Sequence, residues 1–443
     1  MTGGAHYLEV ASRFHEQQAA SAPKWLAGLR LEGLAHFAHQ GLPTTRDEAW
    51  KYTNTAPISE GTFAPAHQSR STEDLTALVQ RLALPGGPRL VFVDGRLAPE
   101  LSSLAGLPRG LTLKPLKDAL REEGELLDSV LGGQAPLEGH PFTALNLALL
   151  EEGALLRVAP GTLSEVPVQL LFLMRGDLPV LASPRVIVFA GESSQAALVE
   201  TYAGAGMGPL ATFTNAVTQV TLEDNASLHH YKLQAEGASA LHVGGLHVRQ
   251  GRDSRFASHV FSFGGALARS EVSTTFEGEG GDATLNGLYV GQGTQHLDHR
   301  TVLDHAVPRC TSRELYKGVL DDKARGTFHG LIRVRRRGQG TDSRQQSRNL
   351  LLSEGAQADA RPQLEILADD VKCAHGAAVG RLDAQALFYL RSRGIPQAEA
   401  QRLLTHAFAR EVVEAVPEGP VRAQVEGLLA LKLPGAARTE VTA

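Results

Sequence analysis

Phe213-Thr214-Asn215-Ala216-Val217-Thr218-Gln219-Val220-Thr221-Leu222, followed by Glu223-Asp224-Asn225, is the stretch on which the fold turns. β-Branched and aromatic side chains dominate it, and it ends at residues that favour a turn, so it reads as a strand. Pro167 to Leu173 and Arg185 to Phe189 share that character, short and bounded by Gly, Asp, Asn or Ser. Turns of similar composition recur at Gly191-Glu192-Ser193-Ser194, Glu223-Asp224-Asn225, Gly251-Arg252-Asp253 and Gly280-Gly281-Asp282. They lie roughly 28 to 34 residues apart, a spacing of the order of solenoid coils. We therefore expect a mainly β protein with stacked parallel coils from about residue 155 to 380. A solenoid cannot close its own ends, so helical caps at both termini are the physical expectation.

Helical periodicity flanks this region on both sides. His6 to Ala20, Pro23 to His39 and Thr72 to Leu82 carry apolar residues at three- and four-residue spacing, interrupted by a short strand at Leu90 to Val93 and the turn Asp94-Gly95. After the coils, Asp383 is placed to cap a helix containing Leu387, Phe388 and Leu390, which Gly394 stops. Pro396 opens a second helix whose apolar face reads Leu403, Leu404, Ala407, Phe408 and Val412, and Val421 to Leu431 forms a third. The expected division is 1–151 mostly helical, 152–382 β core, 383–434 helical and 435–443 a tail.

Charge and cysteine content narrow the setting. The 43 Lys+Arg against 48 Asp+Glu give a net charge of −5, too even to single out nucleic acid or an anionic membrane as a partner. Two cysteines, Cys310 and Cys373, cannot build a disulfide framework, and Met1 to Val10 shows no secretory pattern, so the expected compartment is the cytoplasm. The most apolar run, Val166 to Met174, is far below the roughly 20 residues of a membrane span.

Three clusters invite chemistry. Cys373 and His375 stand two apart; on a strand both face one side, where a thiolate and an imidazole suit a thiophilic metal. Two donors do not complete a closed zinc site, and a buried cysteine beside a surface histidine is the plainer reading of spacing alone. His296, Asp298, His299, Asp304 and His305 suggest a β-helical metal-dependent hydrolase, but they lack helical His-Glu-x-x-His spacing, and strand alternation sends His296 and His299 to opposite faces. Arg333, Arg335, Arg336, Arg337, Arg344 and Arg348 read as a charged strand edge before they read as a phosphate site. Gly204-x-Gly206-x-Gly208 leads into strand-like sequence and is a turn, and no Gly-x-x-x-x-Gly-Lys-Ser/Thr occurs, so no nucleotide site of the chain's own is expected.

A resemblance adds to this reading. Gly41-Leu42-Pro43-Thr44 with Glu48-Ala49-Trp50-Lys51-Tyr52, Gly287-Leu288-Tyr289, Asp304 to Pro308, Thr311 to Leu320, Ala324 to Gly330, Asn349 to Ser353, Pro362 to Ile366, Ala368 to Gly380 and Leu387 to Ile395 together resemble the SufB/SufD family of iron–sulfur cluster assembly proteins. Cys373-Ala374-His375-Gly376 resembles its SufD branch. The resemblance implies a right-handed parallel β-helix flanked by N- and C-terminal α-helical domains. It also implies a non-catalytic scaffold role beside a SufB-like sister subunit and a SufC-like ATPase, with a transient iron–sulfur cluster at the subunit junction. By position, His375 is the histidine that helps hold iron there and Cys373 its motif neighbour. Phe388, Tyr389, Leu403, Leu404 and Phe408 would lie in the ATPase-docking region. Reduced flavin in the complex, and pairing of the isolated chain with itself, are compatible with the family. Two departures stand out: Ala374 replaces a common Ser, and Gly340 a Lys expected in that block.

Overall fold

The computed structural model describes residues 3–18, 22–66, 71–131, 137–206 and 208–433. The tail expected at 435–443 and the last two residues of the helix expected at 6–20 lie outside them. From Gly153 to Gly380 the chain alternates between two sheets, each coil giving one strand to each. Ser227–Ala235, Arg255–Ser262, Asp282–Gly291, Thr311–Leu320, Thr341–Leu351 and Val371–Gly380 follow one another in one sheet, all parallel. Leu241–Gln250, Leu267–Phe276, His296–His305, Arg325–Val334 and Gln357–Ile366 do the same in the other. The fold is a parallel β-solenoid flanked by helices.

Register turns sequence into columns of stacked side chains. Leu228, Phe256, Ala283, Ser312, Ser343 and Cys373 are successive Cα partners, and so are His230, Ser258, Leu285, Glu314, Gln345 and His375. Both columns point inward, as the place of Leu228, Phe256, Ala283 and Leu285 in the central core shows. Alternate residues such as Tyr231, Phe261, Val290 and Val319 point outward and are covered by Val412, Val413, Val425 and Leu429 of the C-terminal helices.

One corner of the solenoid repeats a left-handed backbone position, at Ser193, Asn225, Asp253, Gly280, Arg309 and Gly340. This is the conformation that small polar residues and glycine tolerate best, which is why the turn composition recurs. Gly340, the departure noted in the sequence, sits at φ 75° at this corner, where a lysine would be strained.

The two ends of the solenoid differ. At the start, the two sheets end in the antiparallel strands Arg96–Leu97 and Leu111–Pro115, while on the flank Pro141–Ala148 is buried throughout its length and packs between helix Lys24–Gln40 and strand Phe213–Leu222. Its Asn146 donates to the carbonyls of Pro184 and Asn215 and accepts from Arg185 Nε at 2.8 Å, which satisfies polar groups that would otherwise be stranded. The far end departs from the expected pair of caps. Helix Gln397–Glu414 runs back along the flank, against Asp282–Gly291 and Thr311–Leu320, and leaves the last coil uncovered. Among the described residues, neither Val371–Gly380 nor Gln357–Ile366 has a strand on its outer side. None of the described helices is long and apolar enough to cross a membrane.

The arginine run is also not an edge. Arg333 lies on Arg325–Val334, which is paired on both sides, and meets Glu365 on the next coil at 3.0 Å, while Arg335 meets Asp304 on the previous one at 2.6 Å. Opposite charges stacked across parallel coils are the physical reason for Arg333 and Arg335.

Candidate cluster site at the open end of the solenoid

Strand Val371–Gly380 is the last of its sheet, and its only strand partner among the described residues is Thr341–Leu351. Cys373 is paired with Ser343 and His375 with Gln345, both buried in the interior. The cysteine and histidine thus face the lumen, where a following coil would cover them if the solenoid continued. With no such coil, Cys373 is half-buried and His375 exposed. The expectation that the two share a face is met by the pleat.

A polar column stands behind each donor. Behind Cys373, Ser343 Oγ lies 2.5 Å from Ser312 Oγ, which lies 3.0 Å from His305 Nε2. Behind His375, Gln345 Nε2 donates to Glu314 Oε2 at 2.6 Å. Burial pushes the Glu314 carboxyl up to about 7 and raises the Cys373 thiol above its ordinary range. A raised thiol stays protonated until a metal displaces the proton. Outward on the same strands, Arg344, Arg348, Ala374 and Gly376 line a shallow groove of about 300 Å³ that reaches His375. Among the described residues no group of three or more His, Cys, Asp or Glu side chains is arranged to hold a metal.

The hydrolase cluster is dispersed. His296 bonds Thr327 Oγ1 at 3.1 Å, His299 stacks on Tyr289 with ring centres 4.8 Å apart, and His305 is committed to Ser312. Asp298 is ion-paired with Arg269, and Asp304 with Arg335. These side chains are spent on holding coils together, and they do not converge on a point.

The C-terminal helices divide the residues expected to dock a partner. Asp383 accepts from the backbone N–H groups of Gln385 and Ala386, the cap expected, and on helix Ala384–Ser392 Phe388 is 72% and Tyr389 56% exposed. Leu403 is 41% exposed and Leu404 half-buried. Phe408, in contrast, is half-buried against the core that contains Val290 and Val319. The buried stripe of its helix is Thr405, Ala409, Val412 and Val413, so the apolar face read from the sequence is rotated relative to the packed one.

Comparison with known proteins decides the family. Residues 1–170 match the family model described as SufBD protein N-terminal region, and residues 172–408 match the SufBD core domain of SUF system FeS cluster assembly. The chain belongs to the SufBD family of iron–sulfur cluster assembly proteins. It is 33% identical to the iron–sulfur cluster assembly protein SufD of Escherichia coli, over 91% of this chain and 92% of that protein. It is 29% identical to SufD of Bacillus subtilis, over 96% and 97%, and 31% identical to the chloroplastic protein ABCI7 of Arabidopsis thaliana, over 87% and 82%.

In this SufBD chain, the residues that sequence reading passed over are the ones behind the donors. Gln345 and Glu314 precede His375 by one and two coils in the same column, and stepping back by the turn period would have found them. The other group passed over lies deeper in the lumen, around His230 of that column and the register pair Glu200 and Lys232 beside it. Glu200 accepts from Thr218 Oγ1 at 2.7 Å and lies 3.0 Å from His230 Nε2, with Lys232 nearby. Burial alone would raise Glu200, but the contacts from His230 and Tyr202 and the Lys232 charge bring it down to about 2, while burial lowers Lys232 to about 8. Opposite charges in the lumen thus hold one another ionised.

Proposed function

We propose that this chain is a non-catalytic scaffold subunit of a cytoplasmic SUF assembly complex, and that Cys373 and His375 hold one side of a nascent iron–sulfur cluster. The remaining ligands come from a SufB-like sister subunit, and ATP is hydrolysed by a SufC-like partner docked on the C-terminal helices. The observation that carries this reading is a soft and a borderline donor side by side on the last, uncovered strand of the solenoid. An open coil offers backbone hydrogen-bonding groups along its edge, which a second solenoid end can pair. Two donors fall short of an iron coordination sphere, and a shared site supplies what one chain lacks.

The exposed Phe388 and Tyr389 support the docking part of the reading, since large aromatic side chains are costly to leave in water. The test is co-expression with the sister subunit and the ATPase, isolation of the complex, and anaerobic reconstitution with iron and sulfide. A complex that forms and gains cluster absorbance only when both subunits are present is the expected result. Cluster formation by the sister and ATPase alone, at the same yield, would refute it.

A further inference from the structure

We infer that Gln345 acts as a positioning residue, fixing which ring nitrogen of His375 is left free to bind metal. The inference rests on the reading of His375 as a ligand and extends it to the coil behind. Gln345 is buried in the column that ends at His375, and its amide nitrogen is committed to Glu314 Oε2 at 2.6 Å. Its Oε1 is buried and has no hydrogen-bond partner among the described residues. A buried acceptor without a partner is costly and calls for an explanation.

Geometry supplies one. The amide lies across the lumen against Gly330, where an added Cβ would overlap both Nε2 and Cδ, so any larger residue there would displace the side chain. With the nitrogen end turned to the coil behind, the oxygen end is the one left for the coil in front, whose register partner is His375. His375 is exposed, which leaves its ring free to turn toward that oxygen.

The chemistry is directional. A neutral imidazole has one N–H and one lone pair, and a carbonyl oxygen accepts only the N–H. The ring nitrogen that donates to Gln345 is thereby closed to metal, and the other presents its lone pair at the open end. Turned the other way, the amide N–H₂ would occupy the lone pair instead. An ionised Glu314 can only accept, so it prevents this by taking the Nε2 N–H, and in that form the order Glu314, Gln345, His375 is a keyed chain.

The test uses the metal-free full chain with ¹⁵N-labelled histidine and long-range ¹H–¹⁵N correlation spectra at about pH 8, where an ordinary imidazole is neutral. His375→Ala assigns the resonance, and exposed His406 serves as the internal reference. The wild-type His375 tautomer ratio should differ from that of His406 and should move to the His406 ratio in Gln345→Met, which keeps length but removes the acceptor. Should that variant fail to fold, Glu314→Gln, which lets the amide pair turn either way, makes the same comparison. In the assembled complex, Gln345→Met should lower iron retention roughly ten-fold. Equal ratios for His375 and His406 in the wild type, or an unchanged ratio in the folded variants, would overturn the inference. These spectra need no metal, so they stand apart from whether His375 binds the cluster, which shows only in the cluster yield of His375→Ala.

Discussion

Lys317 and Phe408 are joined twice: the ammonium donates to the Phe408 carbonyl at 2.9 Å and stands 4.4 Å from the centre of its ring. Glu411, one turn on, meets the same ammonium, so a buried charge is matched where helix Gln397–Glu414 crosses strand Thr311–Leu320. Phe408 is therefore an anchor of that helix to the solenoid. Phe408→Ala should cost about 2 kcal/mol, below the range for a fully buried phenylalanine because the ring is half-buried. Denaturant unfolding measures it, and an unchanged midpoint would contradict the anchor.

Phe388 and Tyr389 should behave oppositely. They are exposed on a helix with no buried residue, so the double change Phe388→Asp, Tyr389→Ser should leave stability within about 0.5 kcal/mol. The same change should weaken binding of the partner ATPase at least ten-fold by titration calorimetry. Undiminished binding by the folded variant would move the docking surface elsewhere.

Glu314 gives stability a pH dependence. Its folded value of about 7 lies above the ordinary 4.5, so between these the folded chain keeps a proton that the unfolded chain has released. The stability from this group is full below 4.5 and is lost as pH rises through about 7. Glu314→Gln keeps the shape and never ionises. Its stability relative to wild type should therefore be greater at about pH 8 than at about pH 5, read as urea midpoints, and an equal difference at both would contradict a buried, protonated Glu314.

The coils were legible because one corner imposes a left-handed position on every turn, and Ser193, Asn225, Asp253 and Gly280 record that constraint in composition. Cys373 and His375 were legible as a pair because strand alternation is local. Helix Pro141–Ala148 was not legible, since all its residues are buried and a helix buried all round has no polar face to set a period. The open far end was not legible either. Whether a C-terminal helix caps a solenoid or folds back along its flank depends on long-range contacts such as Lys317 with Phe408, which local pattern does not encode. Arg333 and Arg335 misled for a related reason, because the carboxylates they meet lie one coil away and stack beside them only once the chain is wound.

As a proposed ligand at the uncovered end, His375 should bear no load in the fold. Removing an exposed histidine should cost about 0.5 kcal/mol or less, while removing a ligand takes away a bond the cluster needs. The most direct measurement is anaerobic cluster reconstitution on the complex carrying His375→Ala, after its stoichiometry and melting temperature have been matched to wild type. The expected result is an intact complex with cluster absorbance and transfer to an apo-acceptor reduced several-fold or more. Cluster yield equal to wild type would contradict it, and so would a complex that falls apart.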